Sequence, residues 1–277
     1  LKELGFIYTR LNNPTNQILQ DRLAAVEGGI GAVVFASGTA AIATGLLTLL
    51  KAGDHIVASS SLYGGTYNLL SVTLPRFGIT TTFVDASNAD NFGTAIQENT
   101  RAFFVESLGN PKLDVLDLEA ISAHAKKAEV PFIVDNTVAT PVLLNPIKHG
   151  ADIVIHSLTK YIGGHGTVVG GALIDGGNFD WTADPKRQPL FNEPDASYGG
   201  VVWGKAVPEL TGANVSFAVK ARVTLLRDLG AALAPDNAFG IIQGLETVAL
   251  RMKQHCANAQ KTVDYLSKHE SVARVIY

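Results

Sequence analysis

In the stretch HSLTKYIGGH (156–165) a single lysine, Lys160, stands between a strand-like apolar run and a glycine-rich turn. A lysine so placed can lose its proton when desolvated and then serve as a Schiff-base nucleophile and proton carrier, or it can be an ordinary solvated loop residue. Asp135 ends another apolar run, PFIVD (131–135). A half-buried carboxylate there needs a cationic or proton-donating partner, such as a protonated pyridine nitrogen, unless it merely caps the next turn. The segment SGTAA (37–41) puts a small, flexible turn and hydroxyls at the start of a helix. Free backbone N–H groups and the helix dipole favour a phosphate at such a place, although Ser-Gly-Thr also makes a common helix cap. A phosphate cradle, an edge carboxylate and an edge lysine are together what pyridoxal phosphate (PLP) requires. A dinucleotide fits less well. Neither G-x-G-x-x-G nor G-x-x-x-x-G-K-[ST] occurs, since GGHGTVVGG (163–171) has the wrong spacing and GGIGAVV (28–34) lacks the third glycine. His156 and His165 are read as structural: Lys160 already provides a mobile base, and neither histidine has a partner at metal-ligand spacing, so no metal is expected.

The elements that must carry these residues show as strand-length apolar bursts alternating with amphipathic segments. The bursts are 32–37, 55–60, 80–86, 101–107, 131–137, 151–157 and 170–175. Helices are expected over 38–54, 65–78 and 116–129, the last capped by Asp117, with further helix-like stretches over 217–233 and 239–269. The class is therefore α/β and doubly wound: a mostly parallel seven-stranded sheet with helices on both faces. The loop holding Lys160 is too short for a crossover helix, so one antiparallel strand is expected. The Gly-, Pro-, Asn- and Asp-rich segment 178–212 reads as a long surface excursion. Ligands bind beyond the carboxyl ends of strands in such sheets. That edge collects Ser37-Gly38-Thr39, Ser60 to Tyr63, Glu106 to Asn110, Asp135 to Thr137 and Ser157 to Lys160.

The chain has 277 residues, of which 47% are hydrophobic and 17% charged, enough for one large domain with an appendage. With 22 basic and 25 acidic residues the net charge is -3, and no long run of either sign supports nucleic-acid or membrane binding. The single Cys256 excludes an intramolecular disulfide and reads as a helix-packing residue in a reducing compartment. No secretory signal pattern or long apolar span is seen, so a cytoplasmic location is expected. The start, LKELGFIYTR, has no initiator Met and suggests a trimmed end.

Six segments together, YTRLNNPT (8–15), ASGTAAI (36–42), SLYGGTYNLL (61–70), ESLGNP (106–111), VDNTVATP (134–141) and HSLTKYIGGHG (156–166), resemble the Cys/Met-metabolism family of PLP-dependent, fold-type-I enzymes. Within it the chain is most similar to O-acetylhomoserine sulfhydrylases, notably in DGGNFDW (175–181) and LLRDLGAALAPDNAF (225–239). The resemblance implies that Lys160 holds PLP, that Asp135 pairs with its ring nitrogen, and that Tyr63 stacks on the ring and assists the departing γ-substituent. It implies a phosphate held by Gly38, Thr39, Ser157 and Thr159, with Tyr8 and Arg10 reaching the phosphate of a neighbouring subunit. Asn110 would sit near the cofactor and the substrate carboxylate, and Thr137 behind the ring. The implied partners are small-molecule substrates and further copies of the chain, as a dimer sharing active sites and a tetramer of two such dimers, with a sulfur-carrier protein as a further candidate.

The implied reaction is γ-replacement on O-acetylhomoserine with sulfide or a small thiol. Methionine γ-lyases of the family carry a Cys where this chain has Gly65, which favours a synthase over a lyase and leaves O-succinylhomoserine and cystathionine synthases as alternatives. A catalytically inactive PLP-fold binding protein is the alternative from a different class. The implied organisation is an arm over 1–15, a PLP-binding large domain over 16–238, and a linker helix opening a largely absent C-terminal domain over 239–277. The arginine that binds the substrate carboxylate in relatives falls beyond the chain; Arg222, Arg227 and Arg251 are expected on solvated helix faces instead.

Overall fold

The computed structural model describes residues 5–277, so the first four residues of the expected arm lie outside the described residues. Seven strands, β1 (Gly31–Phe35), β2 (His55–Ser59), β3 (Thr80–Val84), β4 (Thr100–Glu106), β5 (Phe132–Asp135), β6 (Ile153–Ser157) and β7 (Gly171–Asp175), form one sheet in the order β1-β7-β6-β5-β4-β2-β3. β7 runs antiparallel to both its neighbours, and every other pairing is parallel. The odd strand follows the Lys160 loop, as a connection without a crossover helix demands.

Among the described residues twelve α-helical segments, besides short 3-10 and π turns, surround the sheet: α1 (Pro14–Glu27), α2 (Gly38–Leu49), α3 (Gly64–Asn68), α4 (Asp90–Thr94), α5 (Leu118–Lys127), α6 (Thr140–Leu143), α7 (Pro189–Asn192), α8 (Trp203–Thr211), α9 (Ser216–Ala221), α10 (Arg227–Leu229), α11 (Pro235–Glu246) and α12 (Val248–Leu266). The ends are set locally. Asn13 accepts from Thr15 N–H ahead of Pro14, and Gly28 closes α1 at φ 78°. Ser37 accepts from Ala40 N–H at α2, and Asp117 accepts from Ala120 N–H at α5. The expected helix over 65–78 becomes α3, a π turn (Leu69–Thr73) and a 3-10 turn (Leu74–Phe77).

Alternation along each strand feeds two cores, one per face. Val34, Phe103, Phe132 and Val134 pack with Leu19, Leu23, Ile121, Ile241 and Met252. Val33, Phe35, Phe104, Ile133 and Leu173 pack with Ile42, Leu46, Leu49 and Phe217 on the other side. Because both faces are covered, the strands read as continuous apolar runs.

Two expectations need correction. The segment 178–212 is not a surface excursion. It contains α7 and α8 and buries Trp181, Phe191 and Trp203; Trp181 stacks on Phe191 at 4.0 Å between ring centroids and lies 5.7 Å from Phe217. Its turn-forming composition hid a few aromatic anchors, each of which buries a large apolar area. The expected single helix over 239–269 is two helices meeting at Thr247 (φ -112°, ψ 3°). The break lies where α11 approaches the Lys160 loop so closely that a Cβ on Gly244 would meet the carbonyl oxygens of Gly163 and Ile162. Ala238, Ile241 and Leu245 of α11 pack into the same core as α1 and β5.

Candidate active site

The carboxyl ends of β4, β5 and β6, the start of α2, the loop before α3 and the Lys160 loop enclose a cavity of about 820 Å³. Lys160, Tyr63, Asp135, Gly38, Thr39, Ser157, Thr159, Thr137 and Asn110 all line it. Tyr8 and Arg10 do not. Tyr8 is exposed, and Arg10 lies with its guanidinium 5.1 Å from the Tyr8 ring centre and donates to the Arg227 carbonyl.

At one end of the cavity, α2 begins with two N–H groups, those of Gly38 and Thr39, that have no acceptor among the described residues. The first capped N–H is that of Ala40, bonded to Ser37 Oγ at 3.0 Å. A Cβ on Gly38 would stand 2.6 Å from Ser157 Cβ, so only glycine lets the helix start approach β6 this closely. The dipole of this 12-residue helix and two N–H groups without an acceptor among the described residues can receive an anion such as a phosphate, and Ser157 and Thr39 line the same cavity. The Thr159 hydroxyl is already engaged, donating to Gly170 O at 3.2 Å and accepting from Gly170 N–H at 3.1 Å.

Asp135 ends β5 almost fully buried. Its Oδ1 accepts the Thr137 hydroxyl at 2.5 Å and the Thr137 N–H at 3.0 Å, whereas Oδ2 has no donor among the described residues. Burial pushes the Asp135 carboxyl up; the Thr137 bonds and the charge of His156 oppose that. A cationic N–H donor on Oδ2 would lower it again, which is the chemistry of a protonated pyridine ring. Thr137 Oγ1 also accepts from Ser157 N–H at 2.8 Å, joining the carboxylate support to the anion end.

Lys160 is exposed to the cavity, and its amine has no side-chain or backbone partner among the described residues. The Lys160 loop itself is held firmly. Arg251 donates to the carbonyls of Tyr161 at 2.5 Å, Ile162 at 3.1 Å and Gly244 at 2.6 Å. Arg222 donates to Ala32 O at 2.9 Å. These two arginines therefore hold backbone carbonyls and do not form solvated faces.

Sequence reasoning gave no role to Glu106 or His255, both of which line the cavity. Glu106 closes the apolar run of β4 at the ligand edge, a visible signal. His255 comes from α12, far along the chain, with its ring 5.1 Å from that of Tyr161, and nothing local marks it. His156 lies buried behind the cavity, its Nε2 paired with the buried Glu27 carboxylate, which also accepts from Asn136 Nδ2 at 3.1 Å. His165 contacts the Gly163 carbonyl at 2.8 Å through Nδ1. Among the described residues no helix is long and apolar enough to cross a membrane, and no His, Cys, Asp and Glu cluster could hold a metal ion.

The profile of the family described as Cys/Met metabolism PLP-dependent enzyme matches residues 1–277. An O-acetyl-L-homoserine sulfhydrylase of Leptospira meyeri is 53% identical over all of this chain and 63% of its own length. A homocysteine synthase of Schizosaccharomyces pombe is 49% identical, again over all of this chain and 64% of its own. Among solved structures, a Campylobacter jejuni protein carrying an N'-pyridoxyl-lysine-5'-monophosphate superposes with TM-score 0.93 at 44% identity, covering 100% of this chain and 66% of that one. The chain thus spans about 63% of the length of the Leptospira relative. It belongs to the Cys/Met-metabolism family of PLP-dependent enzymes.

Proposed function

We propose that the protein containing this chain replaces the γ-acetoxy group of O-acetyl-L-homoserine by sulfide, or by a small thiol, giving homocysteine or methionine and acetate. One observation carries the reading: a lysine amine, a carboxylate oxygen and two helix-start N–H groups, none with a partner among the described residues, line a single cavity. Bound there, PLP would supply an aldehyde for amines and a protonated ring that withdraws electrons from the substrate α-carbon. Lys160 would hold that aldehyde through its ε-amine, which when free would be placed to remove the substrate Cα proton and carry protons along the substrate. Asp135 would keep the ring nitrogen protonated with the oxygen that Thr137 leaves free, while Thr137 fixes the carboxylate through Oδ1. Gly38 and Thr39 N–H groups, with the Ser157 hydroxyl and that of Thr159 if it turns from Gly170, hold the phosphate. Tyr63, which lines the cavity, would cover the ring and assist loss of acetate from Cγ, the carbon at which sulfide would enter. Asn110 orients the substrate carboxylate.

Tyr8 and Arg10, which lie off their own cavity, are assigned to the phosphate of a neighbouring subunit, so a dimer forms each pair of sites and two dimers a tetramer. Residues 1–15 then act as an arm and 16–238 as the cofactor domain. Charge balance and a lone cysteine favour a cytoplasmic enzyme of small-molecule substrates, with sulfide free or delivered by a carrier protein. Gly65, where lyases of the family carry Cys, favours replacement over elimination; separately, a Cβ there would stand 2.5 Å from Tyr63 Cε1, so a side chain at this position would displace the ring.

The test is turnover by the full-length protein with PLP. O-acetylhomoserine and sulfide yield homocysteine and acetate in equal amounts. Turnover only of O-succinylhomoserine, or release of a thiol from methionine, would replace the reading by another member of the family, and inertness towards all three by a binding protein.

A further inference from the structure

Glu106 is 5% exposed at the end of β4, directly opposite Asp135 in the β4–β5 register. Its two oxygens serve two separate loops. Oε1 accepts the Tyr63 N–H at 2.6 Å and Oε2 accepts the Asn110 N–H at 3.1 Å. Tyr63 stands just before α3 with extended angles (φ -50°, ψ 134°), so its N–H is outside the helix ladder and free for a side chain. The two loops also touch each other: a Cβ on Gly109 would stand 2.5 Å from Ser61 Oγ and 2.9 Å from Ser61 O.

We propose that Glu106 is a positioning residue, a carboxylate brace that sets Tyr63 and Asn110 together over the cavity where the preceding reading seats the cofactor ring and substrate. A carboxylate is the side chain that accepts two N–H groups from different segments at once; the amide of Gln offers one acceptor and turns a donor towards the second N–H. Burial, and then the nearby Asp135 charge, push the Glu106 carboxyl up to about 7, with the two N–H bonds pulling the other way. A buried carboxylate facing a second one in a cleft is a disfavoured arrangement, which fits a role in the site better than a role in stability.

The inference rests on the functional reading for what Tyr63 and Asn110 act upon, but the brace is tested on the cofactor-free chain as well. Amide hydrogen exchange, resolved to single residues, is measured on the full-length protein and its Glu106→Leu variant, which removes both acceptors, with and without PLP. Exchange at Tyr63 and Asn110 rises together by about tenfold or more, as expected for loss of one bond to a charged group. Phe104 and Val134 amides stay unchanged, PLP is retained, and kcat falls. Unchanged exchange at Tyr63 or Asn110, or a rise spread evenly through β4 and β5, overturns the brace. Should the variant not fold, wild-type Tyr63 and Asn110 amides that exchange as fast as unbonded loop amides overturn it equally, and slow exchange at both upholds it. A wild-type protein that holds no PLP sinks the functional reading and leaves the brace to the exchange data.

Discussion

Gly38→Ala adds one methyl at the first residue of α2, where the structure leaves no room. The new carbon would lie 2.6 Å from Ser157 Cβ and 2.9 Å from Ser157 Cα. Carbon atoms rest at about 3.5–4.0 Å, so roughly 1 Å must be recovered. Ser157 belongs to β6, paired on both sides, and therefore the first turn of α2 is what moves. A retreat of about 1 Å takes the Gly38 and Thr39 N–H groups from hydrogen-bond distance of a phosphate to beyond it. Each such bond to a charged group contributes about 1.5–3 kcal/mol, and water recovers part of it. A loss of about 2–4 kcal/mol, or roughly 30- to 1,000-fold in PLP affinity, follows, with about 1–3 kcal/mol of overpacking in fold stability. The assay is a fluorescence titration of cofactor-free protein with PLP and, separately, with pyridoxal, which lacks the phosphate. PLP affinity falls and pyridoxal affinity does not. A variant that binds PLP within about threefold of wild type, or that loses both ligands alike, would refute the cradle at the start of α2.

Three further outcomes follow from the same geometry. Arg251→Ala frees three carbonyls around the Lys160 loop and should lower kcat by about tenfold or more while PLP remains bound, checked by steady-state kinetics and the visible spectrum. Gly65→Ala pushes the Tyr63 ring aside and should cut kcat at least as far; an undiminished kcat would show that ring position is immaterial. The Glu106 carboxyl rises from 4.5 to about 7 on folding, so its ionised form costs stability in the cofactor-free protein. That cost is absent below about pH 4.5, grows through the window and is complete above 7. Glu106→Gln should therefore gain on wild type by about 1.4 kcal/mol per pH unit between pH 5 and 7, read by denaturant unfolding at several pH values.

Much of this arrangement was legible in the chain. Buried parallel strands are continuous apolar bursts, so all seven appear in order, and the short Lys160 connection foretells the reversed β7. Lys160, Asp135 and Gly38 could be picked out because a binding edge at strand ends is a topological consequence of the sheet. The missing parts depend on contacts between distant residues. Gly244 against Gly163 divides α11 from α12, and three aromatics bury a segment whose composition reads as loop. The carbonyl grip of Arg251 on the Lys160 loop and the arrival of His255 at the cavity need the docked α12, which no local pattern encodes. Glu106 was in view at the right edge, but its work is done on the backbone of Tyr63, 43 residues away.

The central claim is that Lys160 is the residue that holds PLP. The direct measurement is borohydride reduction of the PLP-loaded protein followed by peptide mass spectrometry. The expected result is a pyridoxyl-phosphate adduct on Lys160 that disappears in Lys160→Ala; an adduct on another lysine, or none, would contradict the assignment.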